Sequence, residues 1–243
     1  MMVATLKASD RLASVDLVIE ATQADAVAVC ADAPLQALVA GVTAARDLPF
    51  SCVPTGPEDL LARDLGLALD DPLEALSLPA SDDGRTIDLG EVNGVVFVNY
   101  VAVGVAMPGA HTGGELLDGG EHGPPAAPAL LVCNNRFSLQ EGALGPRDWP
   151  DTGLLEVASF AAGGRDRTLG TLLDGAWSAQ SCSRFVLGAP GPGHAVIDGE
   201  PRALVAPLRF RSLPHALRVR VPDIDGNPPS PPIRDGERAA LST

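Results

Sequence analysis

The chain has 243 residues, enough for one large or two small domains, and only 4% of them are aromatic, so a core must rest on Ala, Val and Leu. Its formal net charge of −14 argues against nucleic acid as a partner, because a phosphate backbone is bound by clustered cations. The four cysteines form no CxxC pair and no apolar run reaches the ~20 residues of a membrane span, so we expect a cytoplasmic protein with free thiols.

The first third of the chain predicts a small parallel α/β domain, residues 1–84. The apolar run Ala26–Cys30 indicates a buried strand, and Pro34–Ala45 has helical spacing with proline suited to the first turn. Phe50–Val53 and Pro57–Leu67 repeat this strand and helix. Strand, helix, strand and helix in short succession are typical of a parallel layer.

After Asp82-Asp83-Gly84 the hydrophobic pattern changes to alternation. Thr86–Val92 and Val95–Val101 flank Asn93-Gly94, the residue pair of a two-residue hairpin turn. Further strands are predicted at Ala129–Cys133, Gly153–Ala161, Ser183–Leu187, His194–Ile197, Leu204–Phe210 and Ala216–Val221. The sequence therefore predicts a two-part α+β fold in which residues 85–222 form an antiparallel β-sandwich, with the boundary near Ser81–Arg85.

Two segments are expected to lack regular structure. Met107–Pro128 is dominated by Gly, Pro, Ala and acids and is interpreted as a mobile loop. Residues 223–243 are rich in Pro, Gly and charge and are predicted to be a disordered tail.

Two strand-to-helix turns of the first domain carry candidate ligand-binding residues. Asp32 follows the first strand, at the edge where open α/β sheets bind ligands, and it could hold a metal or a metal-bound phosphate. The alternative is an ordinary helix N-terminal acid. Pro54–Asp59 could present backbone N–H groups to a phosphate, although Pro57 removes one donor and the acids Glu58 and Asp59 favour a simple acidic helix start.

Acids inside the predicted β-sandwich form the other candidates. Asp88 lies within an apolar strand, so it must be paired, linked to a metal, or at a strand edge facing water. Asp198 and Glu200 flank Gly199 and could supply a general base for activating a hydroxyl. The alternative for Asp198-Gly199 is a hairpin turn.

Taken in order, these stretches resemble the diacylglycerol kinase catalytic family, which includes bacterial lipid kinases and sphingosine kinases. Cys30–Gly41 aligns with the family's GGDGT and following helix, with Asp32 matching the motif Asp. Pro54–Gly66 aligns with P-x-GTGNDFAR-xLG and matches it at Gly56, with Asp59 one position from the motif Asp. The later matches are Ile87–Gly104, Asn134–Leu155 and IDGEP at Ile197–Pro201.

The resemblance implies an ATP- and Mg²⁺-dependent kinase acting on a lipid alcohol such as diacylglycerol. It implies cofactor binding at Asp32, Gly56 and Asp59, metal binding at Asp32 and Asp88, and catalysis by Asp198 and Glu200 as the base and its partner. These four acids, Asp32, Asp88, Asp198 and Glu200, would then converge on one cleft. The family's NPxSG strand has no counterpart, and several phosphate-loop glycines are replaced. A non-catalytic homologue acting as a binding or assembly module is therefore the alternative, and a homodimer remains open.

A short stretch near the C-terminus opposes the acidity of the chain. Arg209 and Arg211 flank Phe210, and Arg218 and Arg220 flank Val219, so each pair would project from one side of a strand. If these strands are neighbours, the four arginines form a patch for weak peripheral contact with a membrane. The alternative is that they pair with the chain's own acids.

Overall fold

A computed structural model describes residues 23–78, 85–104, 127, 129–140, 143–160, 169–188 and 192–222. The chain divides into two compact units. The first unit contains the chain up to Leu89 together with the chain from Leu213 onward, and the inserted unit contains Gly90–Ser212. Within the described residues strands dominate and helices are few and short, which confirms the two-part α+β class.

The predicted division into residues 1–84 and 85–222 differs from this grouping in two places. The structure assigns residues 85–89 and 213–222 to the first unit. The reason is that each of the two divisions falls inside a long strand, Arg85–Val92 or Leu208–Val219. The hydrophobic pattern continues along such a strand, so it does not mark the boundary between the units. Most of the predicted boundary, residues 81–84, lies outside the described part of the chain, as do the tail at 223–243 and the loop at 107–128 apart from Ala127.

The first unit is built on short parallel strands followed by helices. Its elements in chain order are β1 (Val27–Val29), α1 (Ala33–Ala45), β2 (Phe50–Cys52), α2 (Leu60–Asp64) and α3 (Pro72–Ser77). Strand β1 pairs in parallel with β2, and Phe50 of β2 lies opposite Val219 of the last strand, again in parallel. Helix α1 packs through Leu35, Val39 and Val42, which all lie on one helical side and are buried.

Helix α2 is shorter than the predicted helix over Pro57–Leu67. It begins after Asp59, whose side chain accepts the N–H of Ala62 and caps the first turn. It ends before Gly66, which has a φ of +71° that favours glycine. Among the described helices, none is long and apolar enough to cross a membrane.

The inserted unit is built almost entirely of antiparallel strands. The elements that complete the chain are β3 (Arg85–Val92), β4 (Val95–Phe97), β5 (Tyr100–Val103), β6 (Ala129–Asn134), β7 (Phe137–Gln140), β8 (Ala143–Arg147), β9 (Leu155–Phe160), α4 (Leu169–Leu173), β10 (Trp177–Cys182), β11 (Arg184–Leu187), β12 (Pro192–Ile197), β13 (Glu200–Val205) and β14 (Leu208–Val219). One sheet has the order β10-β9-β6-β5-β12-β13. In the other, β14 neighbours β3 and β11, and β3 neighbours β4.

Strands β7 and β8 pair with each other as a separate hairpin, and the two larger sheets of the inserted unit share one hydrophobic core. Phe97 and Phe210 of one sheet and Leu130, Val157 and Ile197 of the other belong to a single buried cluster. Within it the rings of Phe185 and Phe210 stack with their centroids 4.6 Å apart. Side chains that interdigitate from two sheets are the defining feature of a sandwich, as the alternation in the sequence predicts.

The predicted Asn-Gly hairpin is present, but its second strand is interrupted. Asn93 and Gly94 have φ values of +49° and +81°, as the two-residue turn requires, and Gly90 lies opposite Phe97. The predicted strand Val95–Val101 instead stops at Phe97 and resumes at Tyr100 in the other sheet. The carboxylate of Asp198 accepts the N–H groups between the two pieces, which removes them from the ladder.

The prediction of one strand over Leu204–Phe210 is wrong, because the chain turns at Ala206-Pro207 between β13 and β14. Proline has no N–H to donate to a ladder, and it separates two apolar runs that look continuous. Strand β14 then continues over 12 residues and includes most of the predicted strand Ala216–Val221. Strands β7, β8 and β10 and helices α3 and α4 were not predicted, since their sequences show no clear period.

Arg209, Arg211 and Arg218 of the predicted patch lie on one strand, β14, and Arg220 directly follows its last residue, so the patch is not built on two neighbouring strands. Among the described residues, two of the four arginines make ion pairs, as the alternative interpretation predicts. Arg211 pairs with Glu91 at 2.7 Å in the inserted unit, and Arg218 pairs with Asp47 at 3.1 Å in the first unit.

Candidate functional site

The β1–α1 turn presents Asp32 to solvent at the start of the helix. Asp32 occupies the N-cap position in an extended conformation, but its carboxylate makes no capping hydrogen bond. Its carbonyl oxygen instead accepts the N–H groups of Leu35 and Gln36, while Pro34 in the first turn has no N–H. The helix start therefore offers an exposed carboxylate and few backbone donors, which suits a cation better than a phosphate.

Gln36 lies buried behind this turn and links it to the next one. Its Nε2 donates to the carbonyl of Ala31 at 2.9 Å and to Oδ2 of Asp59 at 2.8 Å. Its Oε1 is buried and finds no hydrogen-bond partner among the described residues. This orphaned oxygen is an acceptor, so it can be satisfied by a water molecule or by a hydrated cation and not by a phosphate oxygen.

The β2–α2 turn uses Asp59 as a structural cap. Besides Ala62, this carboxylate accepts the backbone N–H and the hydroxyl of Thr55, together with the amide of Gln36. Gly56 has a φ of +142°, a conformation that L side chains rarely adopt. The turn therefore fits the alternative interpretation of the sequence, a simple acidic start of a helix.

Asp88 on β3 is fully buried, so the interpretation of a strand edge facing water is wrong. Its Oδ1 accepts the backbone N–H of His215 at 2.8 Å, and His215 has a φ of +50°. Nδ1 of the same histidine lies 3.2 Å from the hydroxyl of Thr86. Asp88 thus binds the backbone of β14 at an irregular position, which is the paired alternative of the sequence analysis.

A metal site built from protein carboxylates alone is not present in the described part of the chain. No group of three or more His, Cys, Asp or Glu side chains is arranged to hold an ion there. Asp32 is exposed while Asp88 is buried. A Mg²⁺ ion at Asp32 would therefore rely on water and on ligand oxygens for its remaining ligands, as Mg²⁺ commonly does.

Asp198 forms the turn between β12 and β13, which confirms the hairpin-turn interpretation. Asp198 and Gly199 have φ values of +49° and +91°. The buried carboxylate accepts three consecutive N–H groups at 2.8–2.9 Å, those of Val98, Asn99 and Tyr100. Burial raises the pKa of Asp198 to about 6, against the opposing effect of these hydrogen bonds and of Arg147.

Arg147 is a central residue of this region that the sequence analysis missed. It is buried, and its guanidinium donates to the carbonyls of Val98 and Asn134 at 2.8 Å and to the side chain of Asn99. Its carbon Cζ also lies 4.5 Å from the ring centre of Phe137. A lone arginine in a run with Pro and Trp gives no sequence signal of burial, because arginine is nearly always exposed.

Glu200, the second predicted catalytic acid, has a different environment. Its side chain is 45% exposed, and its Oε2 accepts two hydrogen bonds from Arg202, the shorter at 2.7 Å. Asp32 and Asp88 belong to the first unit and Asp198 and Glu200 to the inserted unit, so the convergence of all four on one cleft stays a prediction.

The inserted unit also contains a cavity of about 310 Å³ beneath the β7–β8 hairpin. Leu131, Phe137, Ala158 and Trp177 supply its apolar lining. Polar and charged groups, among them Arg136 and Glu156 with 4.0 Å between their nearest atoms, supply about half of the lining. The cavity therefore has a mixed lining and not the mostly apolar one that is usual for a small-molecule site.

No family model matches the sequence, and no curated protein matches it. Solved structures do match the fold. A diacylglycerol kinase from Bacillus anthracis str. Sterne superposes with a TM-score of 0.65 at 14% identity, over 88% of this chain and 84% of that one. Another structure, a putative diacylglycerol kinase from the same strain, gives a TM-score of 0.66 at 14% identity over 89% and 86%. The architecture is therefore that of these bacterial proteins.

Proposed function

We propose that this chain is a lipid kinase-like protein that transfers a phosphoryl group from ATP to the hydroxyl of diacylglycerol or a similar lipid. The observation that carries the proposal is the shared architecture, which extends over almost nine tenths of the chain. Fold likeness at 14% identity fixes no chemistry by itself. The supporting residues are the carboxylates of the two units.

In the first unit, Asp32 is the residue we assign to the magnesium ion of Mg²⁺–ATP. It is exposed, its carboxylate makes no capping bond, and Gln36, whose Nε2 binds the carbonyl of Ala31 in the same turn, has an orphaned Oε1. Magnesium supplies neutralisation of the phosphate charge when bound. Pro34 has no N–H, and the N–H groups of Leu35 and Gln36 already donate to the carbonyl of Asp32, so the turn leaves few backbone donors for direct contact with phosphate. In this proposal the chain therefore acts on the phosphates by orienting the ion.

In the inserted unit, Asp198 is the carboxylate we assign to proton acceptance from the lipid hydroxyl. A pKa of about 6 suits a general base that acts near neutral pH. Its hydrogen bonds to three backbone N–H groups fix its orientation. Glu200 with Arg202 stands beside it in sequence and is exposed enough to contact a substrate. The apolar residues in the mixed lining of the cavity offer contact for part of a lipid chain.

A test combines nucleotide binding with phosphoryl transfer. We expect calorimetry to detect Mg²⁺–ATP binding, and Asp32→Asn to weaken it by about tenfold through loss of one charged ligand. Asp25→Asn is the matched control, because Asp25 is also exposed and precedes β1 instead of following it. Transfer of labelled phosphate to diacylglycerol in mixed micelles measures the reaction itself.

Cys30 provides a second readout at the same turn. It is exposed, two residues before Asp32, and can be alkylated in the folded protein. Bound Mg²⁺–ATP should slow alkylation of Cys30. No protection together with no calorimetric signal would refute the assignment of Asp32.

The second candidate is a non-catalytic homologue that uses the fold for binding or assembly. Two observations favour it: every hydrogen bond seen at Asp59 comes from its own turn and helix start or from Gln36 of helix α1, and Pro34 removes a donor where a phosphate loop needs one. A protein that folds cooperatively, binds no Mg²⁺–ATP and transfers no phosphate would support this candidate.

A further inference from the structure

The outward side of strands β11 and β14 carries cations that the ion pairs among the described residues only partly neutralise. Their register places Arg184 directly opposite Arg211, and Val186 directly opposite Arg209. All four side chains are exposed, and we call this set the arginine face. The side chains between them, Phe185, Leu187, Leu208 and Phe210, are buried in the core.

The pairing of strands β11 and β14 in the arginine face is fixed by side chains on the opposite, buried side of the sheet. Phe185 lies opposite Phe210, and their rings stack in nearly parallel planes on the inner side of the sheet. Because successive residues of a strand alternate between its two sides, this stacked pair forces the guanidinium groups of Arg184 and Arg211 to the same outer side. Like charges directly opposite each other in a sheet destabilise it, so this arrangement has a cost that a bound anion would offset.

That cost is offset only in part within the described residues. Glu91 forms an ion pair with Arg211 at 2.7 Å. Arg184 and Arg209 have no acidic partner in the described ranges, and Arg209 is held there through its backbone by hydrogen bonds with Asn93. Three guanidinium groups against one carboxylate leave a local charge of +2 on a chain whose total is −14.

Exposed apolar side chains border these cations. Val186 is 41% exposed within the face. Val205 is 77% exposed, and its carbonyl accepts a hydrogen bond from the side chain of Asn93, the same residue that binds the backbone of Arg209. Cations beside small apolar groups match the surface of a bilayer, where anionic headgroups border the acyl region.

We propose that the arginine face docks the protein on a membrane that contains anionic lipid. A protein with a net charge of −14 is repelled overall by such a membrane, so a local charge of +2 both attracts and orients it. Screening confines the attraction to about 10 Å at moderate salt, which makes the contact weak and reversible. The proposal does not depend on nucleotide binding or phosphoryl transfer, because the face lies outside the residues assigned to either.

The test is co-sedimentation with vesicles at low salt, without nucleotide. We expect binding to vesicles of phosphatidylcholine with phosphatidylglycerol, little binding to phosphatidylcholine alone, and release by added salt. Arg184→Ser/Arg209→Ser removes the two cations that lack an acidic partner. At about 1 kcal/mol for each cation near an anionic surface, we expect the partition coefficient to fall by at least about tenfold.

The matched control is Arg46→Ser/Arg218→Ser, which lowers the net charge of the protein by the same amount. Both control arginines belong to the first unit and neither is part of the arginine face; Arg218 is paired with Asp47. We expect the control to bind vesicles like the wild type. Thermal unfolding of both variants shows whether they remain folded.

Three outcomes would overturn the proposal. The first is a wild type that does not sediment with anionic vesicles, and the second is equal binding by the two double variants. The third is a wild type that binds duplex DNA as tightly as anionic vesicles and loses both through Arg184→Ser/Arg209→Ser, which would make the face a general site for polyanions.

Discussion

At the scale of single residues, Asp198 connects the turn of one hairpin to the backbone of another. Its three acceptor contacts end β4 and allow the chain to enter the second sheet at Tyr100. Arg147 donates to the carbonyl of Val98 on the same segment. The carboxylate thus binds the N–H groups of the irregular stretch between β4 and β5, and the guanidinium binds a carbonyl of it. Hydrogen bonds from charged groups are worth more than neutral ones, and here they replace a strand ladder.

Asp198→Asn should destabilise the protein by about 2–4 kcal/mol, since an amide leaves at least one buried N–H group without an acceptor. Urea unfolding followed by circular dichroism measures the change. Glu200→Gln is the control in the same hairpin, and we expect it to cost less than about 1 kcal/mol because its ion pair is exposed. Equal effects of the two substitutions would contradict the role given to the Asp198 carboxylate.

The raised pKa of Asp198 also predicts a pH dependence of stability. Burial raises it from 3.8 to about 6, so between these values the folded protein binds more protons than the unfolded chain. The contribution of Asp198 to the free energy of unfolding should therefore fall as the pH rises from about 4 to about 6 and stay constant above about 7. The difference between wild type and Asp198→Asn isolates this slope, and a difference that stays flat over the window would refute it.

The sequence predicts that Asp198-Gly199 forms a turn, but it does not predict which groups the Asp198 carboxylate binds. Those partners lie about 100 residues earlier in the chain, and only the tertiary fold brings them close. The same holds for Asp88, whose partner His215 is 127 residues away. Spacing rules describe neighbours along the chain, so they predict the turn and leave the long-range contact undetermined.

At the scale of elements, the β3–β4 hairpin depends on a glycine that is not in its turn. Gly90 lies opposite Phe97, and a Cβ built on Gly90 would lie 2.2 Å from the Cζ of that fully buried ring. The glycine therefore makes room for the ring across the strand pair. The Asn-Gly turn and the alternation could be predicted from sequence, whereas this close contact could not, because a glycine in a strand has several explanations.

Gly90→Ala should cost about 2–3 kcal/mol of unfolding free energy, as expected for overpacking. Phe97→Leu removes the clashing ring end, so the double variant should be more stable than the sum of the two single effects predicts. Gly188→Ala is the control, since nothing lies within 4 Å of its added Cβ, and it should be close to neutral. Additive effects of Gly90→Ala and Phe97→Leu would contradict the contact.

At the scale of the whole molecule, the four free cysteines should report folding through their reactivity. Cys30 is exposed, while Cys52 and Cys133 are buried and Cys182 is intermediate. Burial raises the pKa of Cys52 and Cys182, and it raises that of Cys133 to about 12, which suppresses the reactive thiolate.

A chromogenic disulfide reagent should therefore titrate Cys30 fast, Cys182 more slowly, and Cys52 and Cys133 only after unfolding. Cys30→Ser should abolish the fast phase alone. Fast reaction of two or more thiols in the native protein would contradict the described burial.

Strands β3 and β14 have a consequence for the order in which the protein is made. The first unit needs β14, whose residue Val219 is the partner of Phe50, while all of Gly90–Ser212 precedes that residue in the chain. Synthesis runs from the N-terminus at about 5–20 residues per second, so more than 160 residues must follow Phe50 before its partner emerges. During those seconds the edge of β2 that pairs with β14 has no partner, whereas the inserted unit can complete its folding first.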